Sequence, residues 1–309
     1  MVHDPGARRA ALADSLDGLS VGDALGERFF GWAHDAADLR RGWLPEAPWR
    51  WTDDTCMAAT LAVHVVGFEG VDQDRLALAW ARDLQPGRGY GRGARELLER
   101  ISLGVPWQQA SRELFDGGSF GNGSAMRVAP LGAWHLGDLA AAAHDGARQA
   151  EVTHAHPWGV AGGTVVAVVA SYLAGLRLTG TVPSPDDVVR TAIEHCPPGE
   201  QLERLHHALR LRDASPAEAA LALGAGYDVA CHDTVPFCVW LTAHHVVDYP
   251  AAIAATVVGR GDVDTTCAIV GGLVASFTGV EGRDGVVGIP PSWLAAREPL
   301  PFDAARLRG

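Results

Sequence analysis

Gly159-Val160-Ala161-Gly162-Gly163-Thr164-Val165-Val166-Ala167-Val168-Val169-Ala170-Ser171-Tyr172-Leu173-Ala174-Gly175-Leu176 is the longest apolar stretch of the chain, and its reading decides the fold. It is slightly short for a membrane span and carries polar Thr164 and Ser171. A buried core helix explains it better. The small residues over 159–170, and again over 267–275, suit central helices whose backbones approach their neighbours closely.

Outward from this stretch, helical spacing recurs and clean alternation does not. Helices are predicted over 10–25, 54–66, 74–84, 92–101, 106–114, 125–134, 138–153, 157–176, 185–194, 200–212, 216–223, 234–245, 250–258 and 265–278. Gly or Pro marks the short connections. Two longer excursions have the length of functional or mobile loops. One covers 31–50 and holds Trp32, Trp43 and Trp49; the other covers 86–93, with Arg88, Tyr90 and Arg92 set between glycines. The expectation is all-α, a single globular multi-helix domain over 1–309 with a flexible N-terminus over 1–9.

Of the 309 residues 48% are apolar and 20% charged, enough to bury a sizeable core. A formal net charge of -12 argues against broad nucleic-acid binding and against anionic membranes. It leaves room for a small basic pocket around one phosphorylated ligand. Cys56, Cys196, Cys231, Cys238 and Cys267 are dispersed with no CxxC pair, so they read as reduced thiols rather than disulfides or a zinc site. No apolar run follows the arginines of 1–9, so no signal peptide is expected and the expected compartment is the cytoplasm.

Chemistry concentrates in four segments. Trp51-Thr52-Asp53-Asp54-Thr55 places two adjacent carboxylates between hydroxyls at a helix start, a compact set of the hard oxygen ligands that Mg²⁺ takes. The same residue types also cap helices without any metal. Gly259-Arg260-Gly261-Asp262-Val263-Asp264-Thr265-Thr266 repeats the pattern after a glycine turn. Two such sets can hold two cations between four carboxylates if they meet, and spacing does not decide whether they do. Gly117-Gly118-Ser119-Phe120-Gly121-Asn122-Gly123-Ser124-Ala125-Met126-Arg127 is a glycine-rich approach to a helix, suited to turning backbone N–H groups toward an anion. It is neither a GxGxxG after a strand nor a GK[ST] loop. In Val152-Thr153-His154-Ala155-His156-Pro157 the histidines are two apart, not four as on a zinc-binding helix, so substrate or backbone contacts are expected. The pairs His144-Asp145 and His232-Asp233 lack further ligands at supportive spacing.

Taken in order with Gly18-Leu19-Ser20-Val21-Gly22-Asp23-Ala24-Leu25-Gly26, these segments resemble the ADP-ribosylglycohydrolase family from about Gly18 to about Leu273. The resemblance implies an all-α fold with two Mg²⁺ (or Mn²⁺) in a cleft. It implies Thr52, Asp53 and Asp54 as metal ligands from one helix entrance, and Asp262, Asp264 and Thr265 from the other. Gly118, Ser119, Asn122 and Gly123 fall where the family holds the diphosphate and distal ribose. Phe120 falls where a ring stacks on adenine, and His154 where a ribose contact is made. Asp53 or Asp54 is then also a proton acceptor.

One departure stands out. Many members carry a glutamate several residues after the GDALG stretch, where this chain has Phe30. Glu27 is the nearby carboxylate and the remaining catalytic candidate, though on a continued helix it points elsewhere. The implied activity is hydrolysis of the glycosidic bond between ADP-ribose and a modified protein side chain or a small conjugate. The linkage (arginine, serine or other) and the oligomeric state stay open. The alternatives are hydrolysis of another ribosylated or phosphorylated metabolite, and ADP-ribose binding without catalysis. Trp32, Trp43, Trp49 and Trp51 either line the cleft mouth or belong to the core.

Overall fold

Polar caps start many of the helices. Asp4, Asp72, Asp138, Ser184, Ser215 and Asp248 each accept a first-turn backbone N–H that the helix itself leaves without a partner. The structure, a computed structural model, describes residues 4–31 and 34–307. In chain order the helices are α1 (Pro5–Gly26), α2 (Ala36–Arg40), α3 (Asp53–Phe68), α4 (Gln73–Asp83), α5 (Arg92–Ser102), α6 (Trp107–Glu113), α7 (Gly123–Met126), α8 (Ala129–Trp134) and α9 (Leu139–Glu151). They continue as α10 (Pro157–Thr179), α11 (Pro185–Glu194), α12 (Glu200–Ala208), α13 (Pro216–Leu223), α14 (Cys231–His245), α15 (Tyr249–Val257), α16 (Val263–Thr278) and α17 (Pro291–Ala296). Glu27–Phe29 and Phe302–Arg306 form 3-10 turns. Among the described residues extended pairing is limited to isolated bridges. The fold is all-α.

Several boundaries differ from the sequence reading, each for a local reason. The segment 1–9, expected to be flexible, is helical from Pro5 onward, because Asp4 caps the helix and Pro5 opens it; residues 1–3 lie outside the described residues. The helix expected over 125–134 is two, since Pro130 has no N–H for the Met126 carbonyl and the run breaks at Arg127 and Val128. The irregular excursion 31–50 contains α2, started by an Asp35–Asp38 capping box. Pro290 and Pro291 introduce α17, which the sequence reading lacked.

Three helices form the centre. From Ala11 to Gly26 every residue of α1 is buried, and α16 is buried throughout from Thr265 to Thr278. α1 lies along α16 on glycines spaced by four. A Cβ on Gly22 would sit 2.1 Å from the Cys267 carbonyl oxygen, and one on Gly26 would sit 2.9 Å from the Asp264 Cα. That contact sets Asp23 and Glu27, which follow these glycines, beside the entrance of α16. α10 packs against α8, α9, α14 and α16. It is long and apolar enough to cross a membrane, yet 72% of its most apolar window is buried within the molecule. All five cysteines are free and buried.

Candidate active site

The two acidic sets meet. Thr52 caps α3, Asp262 precedes α16, and Thr265 Oγ1 donates to Asp54 Oδ1 at 3.3 Å across 211 residues of sequence. α1 adds a third carboxylate. One oxygen each from Asp23, Asp54 and Asp264 lies within 4.8 Å of the others, a spacing that fits a cation. Asp23 was not among the residues singled out as ligands; its signal in the sequence is its place in the Gly22-Asp23-Ala24-Leu25-Gly26 stretch that carries part of the family resemblance. Its oxygens accept from Thr52 N (3.0 Å), Thr52 Oγ1 (2.8 Å), Thr55 N (3.1 Å) and Thr55 Oγ1 (2.5 Å). It thereby fixes the entrance of α3, while Asp264 reaches the cleft wall and Asp54 lies buried behind it.

The hydrogen bonding here falls short by one proton. Thr52 Oγ1 lies 2.8 Å from Asp23 and 3.0 Å from Asp54, and its one hydrogen serves only one of them. Electrostatics carry the same message. Burial pushes the Asp23 carboxyl up to about 6 against the hydrogen bonds of Thr55 and Thr52. Burial, then the charge of Asp23, pushes Asp53 up to about 7. Asp54 and Asp264 are raised well above the carboxylate range by burial first and by neighbouring carboxylates next. Burial also raises Asp262, opposed by the Asn122 hydrogen bond. Gathered hard-oxygen donors that raise one another's proton affinity fit Mg²⁺ or Mn²⁺.

Asp53, Asp262, Asp264 and Thr265 open into a cleft of about 320 Å³, within the range of small-molecule sites. Ser119, Gly121, Asn122, Gly123, His154 and Arg127 line it from the other side. The glycine-rich segment is held there by tertiary contacts. Gly121 bridges to Ala230, Asn122 N donates to the Val229 carbonyl, and Asn122 Nδ2 donates to Asp262 Oδ2 at 2.7 Å. Thus Asn122 ties the glycine side to the acidic side. α7, which follows, is a single turn of four residues.

Two members of the expected binding set sit elsewhere. Gly118 is not on the cleft wall; at φ +92° it packs on the 155–156 backbone, where a Cβ would lie 2.7 Å from His156 N. Phe120 is not on the wall either. Its ring lies 5.4 Å from His156 and 6.2 Å from both Trp158 and His232. The ring that does line the cleft is Phe115, which no motif marked. His156 caps α10 by accepting from Trp158 N, a structural duty that matches its position before Pro157.

At the other end of the site, Glu27 stands on the 3-10 turn that follows α1. Its backbone stays in the right-handed helical region and its N–H still donates to the Asp23 carbonyl, so packing of α1 on α16, not a change of direction, brings it near Asp264. Its charge acts on Asp264, and Asp262 acts on it, so it belongs to the rim of the acidic set. Burial raises the Glu27 carboxyl, opposed by Arg28 and Arg50. Phe30 is 51% exposed. Trp43 packs on His34 and Phe29, while Trp49 and Trp51 are buried and off the cleft wall; these three are core aromatics, and Trp32 lies outside the described residues.

An all-helical chain that gathers carboxylates from three helix ends opposite a glycine-rich wall defines a class of helical proteins with an acidic, cation-fitting cleft. The model of the family described as ADP-ribosylglycohydrolase matches residues 4–307, and the chain belongs to that family. It is 28% identical to the ADP-ribosyl-[dinitrogen reductase] glycohydrolase of Rhodospirillum rubrum, over 94% of this chain and 91% of that one. It is 26% identical to the ADP-ribosylhydrolase ARH3 of Danio rerio, over 92% and 85% of the two chains. With the ADP-ribosylarginine hydrolase Tri1 of Pseudomonas putida (strain GB-1) it shares 25% identity, over 91% and 72%. A solved structure titled "ADP-ribosylglycohydrolase-related protein complex" has the same fold, with a TM-score of 0.58 at 23% identity, covering 97% of this chain and 95% of that one.

Proposed function

We propose that this protein hydrolyses the glycosidic bond between ADP-ribose and a protein side chain or small conjugate, with two Mg²⁺ (or Mn²⁺) in the acidic half of the cleft. The observation that carries the reading is the convergence of Asp23, Asp54 and Asp264 from three helices, in a chain whose relatives are named for removing ADP-ribose. Thr52, Asp53 and Asp54 would hold the cations from the α3 side, and Asp262, Asp264 and Thr265 from the α16 side. Asp23 orients Thr52 and Thr55 from behind. When bound, the two cations supply Lewis acidity and neutralise the crowded carboxylates.

The chain's own residues do the rest. Asp53, on the cleft wall, accepts the proton of the attacking water, with Asp54 behind it as the second acceptor. The surrounding negative charge favours the oxocarbenium-like transition state as the leaving group departs. Ser119, Asn122, Gly123 and His154 face the diphosphate and distal ribose from the glycine side. Glu27, at the rim beside Asp264, would meet the leaving group.

The test is release of ADP-ribose from arginine- and serine-modified peptides, with Mg²⁺ and with EDTA. Metal-dependent release from either peptide is the expected result. Tight ADP-ribose binding with no release from any conjugate would make the protein a binder, a reading that Phe30 at the family's glutamate position favours. Release from small ribosylated metabolites alone would move the substrate class instead.

A further inference from the structure

Arg127 is 1% exposed and reaches the cleft from the end of α7. Its hydrogen bonds go to neutral groups. Nε donates to Gln149 Oε1 at 2.9 Å, and Nη2 donates to the Gln149 carbonyl at 3.2 Å and to Thr153 Oγ1 at 2.8 Å. Nη1 meets the Met57 sulfur at 3.5 Å, and the guanidinium lies 3.9 Å from the centre of the Trp80 ring. The Gln149 amide cannot turn over, because its Nε2 already donates to the carbonyls of Ser124 and Gly146. A buried guanidinium in this setting is a fixed donor.

That fixed donor sets the direction of the next bonds. Guanidinium only donates, so Thr153 Oγ1 must accept from it. The Thr153 hydroxyl then has one proton to give, and among the described residues the acceptor 2.7 Å away is His154 Nδ1. A ring nitrogen that accepts carries no proton. In a neutral His154 the proton is therefore on Nε2. This nitrogen faces the glycines of the cleft: a Cβ on Gly123 would lie 3.1 Å from it and one on Gly121 3.5 Å.

We propose that Arg127 and Thr153 are positioning residues that hold His154 as the neutral Nε2–H tautomer, so that it donates to a hydroxyl or phosphoryl oxygen of the ligand in the glycine-lined half of the cleft. Burial and the nearby Arg127 charge push the His154 imidazole down to about 3, so the ring stays uncharged across physiological pH. A cationic His154 would be repelled by Arg127. A ring with the opposite tautomer would present a lone pair to an oxygen. The relay removes both alternatives. Substituting either glycine by a larger residue would fill the space the donated bond needs.

The proposal rests on the cleft being an ADP-ribose site, so its test has one arm with no ligand. Nitrogen-15 histidine spectra of the EDTA-treated protein at neutral pH, with the His154 signal identified by its loss in His154→Gln, read the tautomer directly. The expected spectrum shows a pyrrole-type Nε2 and a pyridine-type Nδ1 in the wild type and in Thr153→Ser. In Thr153→Val both nitrogens move toward averaged values. The second arm is ADP-ribose affinity by calorimetry. Thr153→Val weakens it about 5- to 20-fold, the scale of one misplaced hydrogen bond, and Thr153→Ser stays within about twofold. A protonated Nδ1 in the wild type overturns the proposal, as does a Thr153→Val protein that keeps both the pure tautomer and the affinity. If wild type binds no ADP-ribose while the spectra are as expected, the ligand reading fails and the relay stands. Arg127→Lys, which keeps a charge without the fork, checks the first link by the same spectra: averaging there supports it, and an unmoved signal overturns it.

Discussion

The two halves of the cleft are incomplete in opposite senses. On the acidic side, Asp54 and Asp264 are buried among other carboxylates, and the charges that weigh most on them are negative. On the glycine side, Arg127 is buried among neutral partners, and burial lowers its proton affinity to about 9. A buried charge without its complement is costly wherever it occurs. Asp53 and Arg127 offset each other only in part. A fold that leaves one sign in excess at each end of a single cleft supports a ligand set with cations at one end and an anionic group at the other. The halves also differ in construction. The acidic half is assembled by helix packing, α1 against α16 through Gly22 and Gly26, whereas the glycine half is set by backbone pairing at Gly121 and Asn122.

The sharpest way to break the comparison is Asp54→Asn. It removes the carboxylate that Thr52 and Thr265 both address. Mg²⁺-dependent release of ADP-ribose should fall by more than the ~10- to 100-fold typical of losing an outer-shell partner of a metal, while ADP-ribose affinity changes little. Kinetics and calorimetry on the one variant check both. Equal loss of affinity would mean that the halves are not separate.

The next effect is on stability and depends on pH. Raised carboxyls mean that the folded, cation-free chain keeps protons which the unfolded chain releases above the ordinary value of 3.8. The contribution is complete at acidic pH and is lost as pH climbs through about 6 and 7. His154 acts with the opposite sign, but only below its ordinary value of 6.5. Between that value and about pH 8, the melting temperature in EDTA should fall by several degrees, and saturating Mg²⁺ should remove the fall. Thermal denaturation with and without the ion decides it. A flat or rising profile in EDTA would show that the carboxylates are not strained.

Much of this was legible in sequence because caps and hydroxyl-flanked acids are local features. The helix entrances, the acidic pairs at Asp53-Asp54 and Asp262/Asp264, and the glycine-rich segment are visible in a few residues each. What packing decides was not. Asp23 matters because glycines bring α1 onto α16, and nothing near Asp23 in sequence announces its four hydrogen bonds to Thr52 and Thr55. Arg127 and Thr153 both fell within noticed segments, yet their relay exists only once α7 and α9 are side by side. Phe120 was taken as a cleft ring because of its place in a motif, but His156, Trp158 and His232 hold its ring. Glu27 was expected to point elsewhere on a continued helix; its backbone does stay helical, and the close approach of Gly26 to Asp264 is what brings it to the acidic set.

A milder perturbation reaches the acidic half from outside. Arg88 donates to the Trp51 carbonyl at 3.0 Å, covers its ring at 3.5 Å, and pairs with Glu298, which accepts from Trp51 N at 3.1 Å. Trp51 is thus held on both sides one residue before Thr52. The loop of Arg88 also lies over Asp53, where a Cβ on Gly89 would come within 3.1 Å of Asp53 Oδ1. Arg88→Ala should weaken Mg²⁺ binding, read by calorimetry, toward the low end of the ~10- to 100-fold outer-shell range. An unchanged affinity would confine Arg88 to stability.

The smallest expected effect tests the glycine half through its aromatic wall. Phe115 lines the cleft and is 49% exposed. Phe120 is 45% exposed, but its ring is engaged by three neighbours off the wall. Stacking on one base contributes ~1–3 kcal/mol. Phe115→Ala should therefore raise the ADP-ribose dissociation constant about tenfold, and Phe120→Ala less, with ribose 5-phosphate binding unaffected by either. The ordering is the discriminating quantity. A larger loss from Phe120→Ala would mean that its ring leaves His156 and Trp158 to meet the ligand, so the glycine half would be shaped by binding while the acidic half is built in advance.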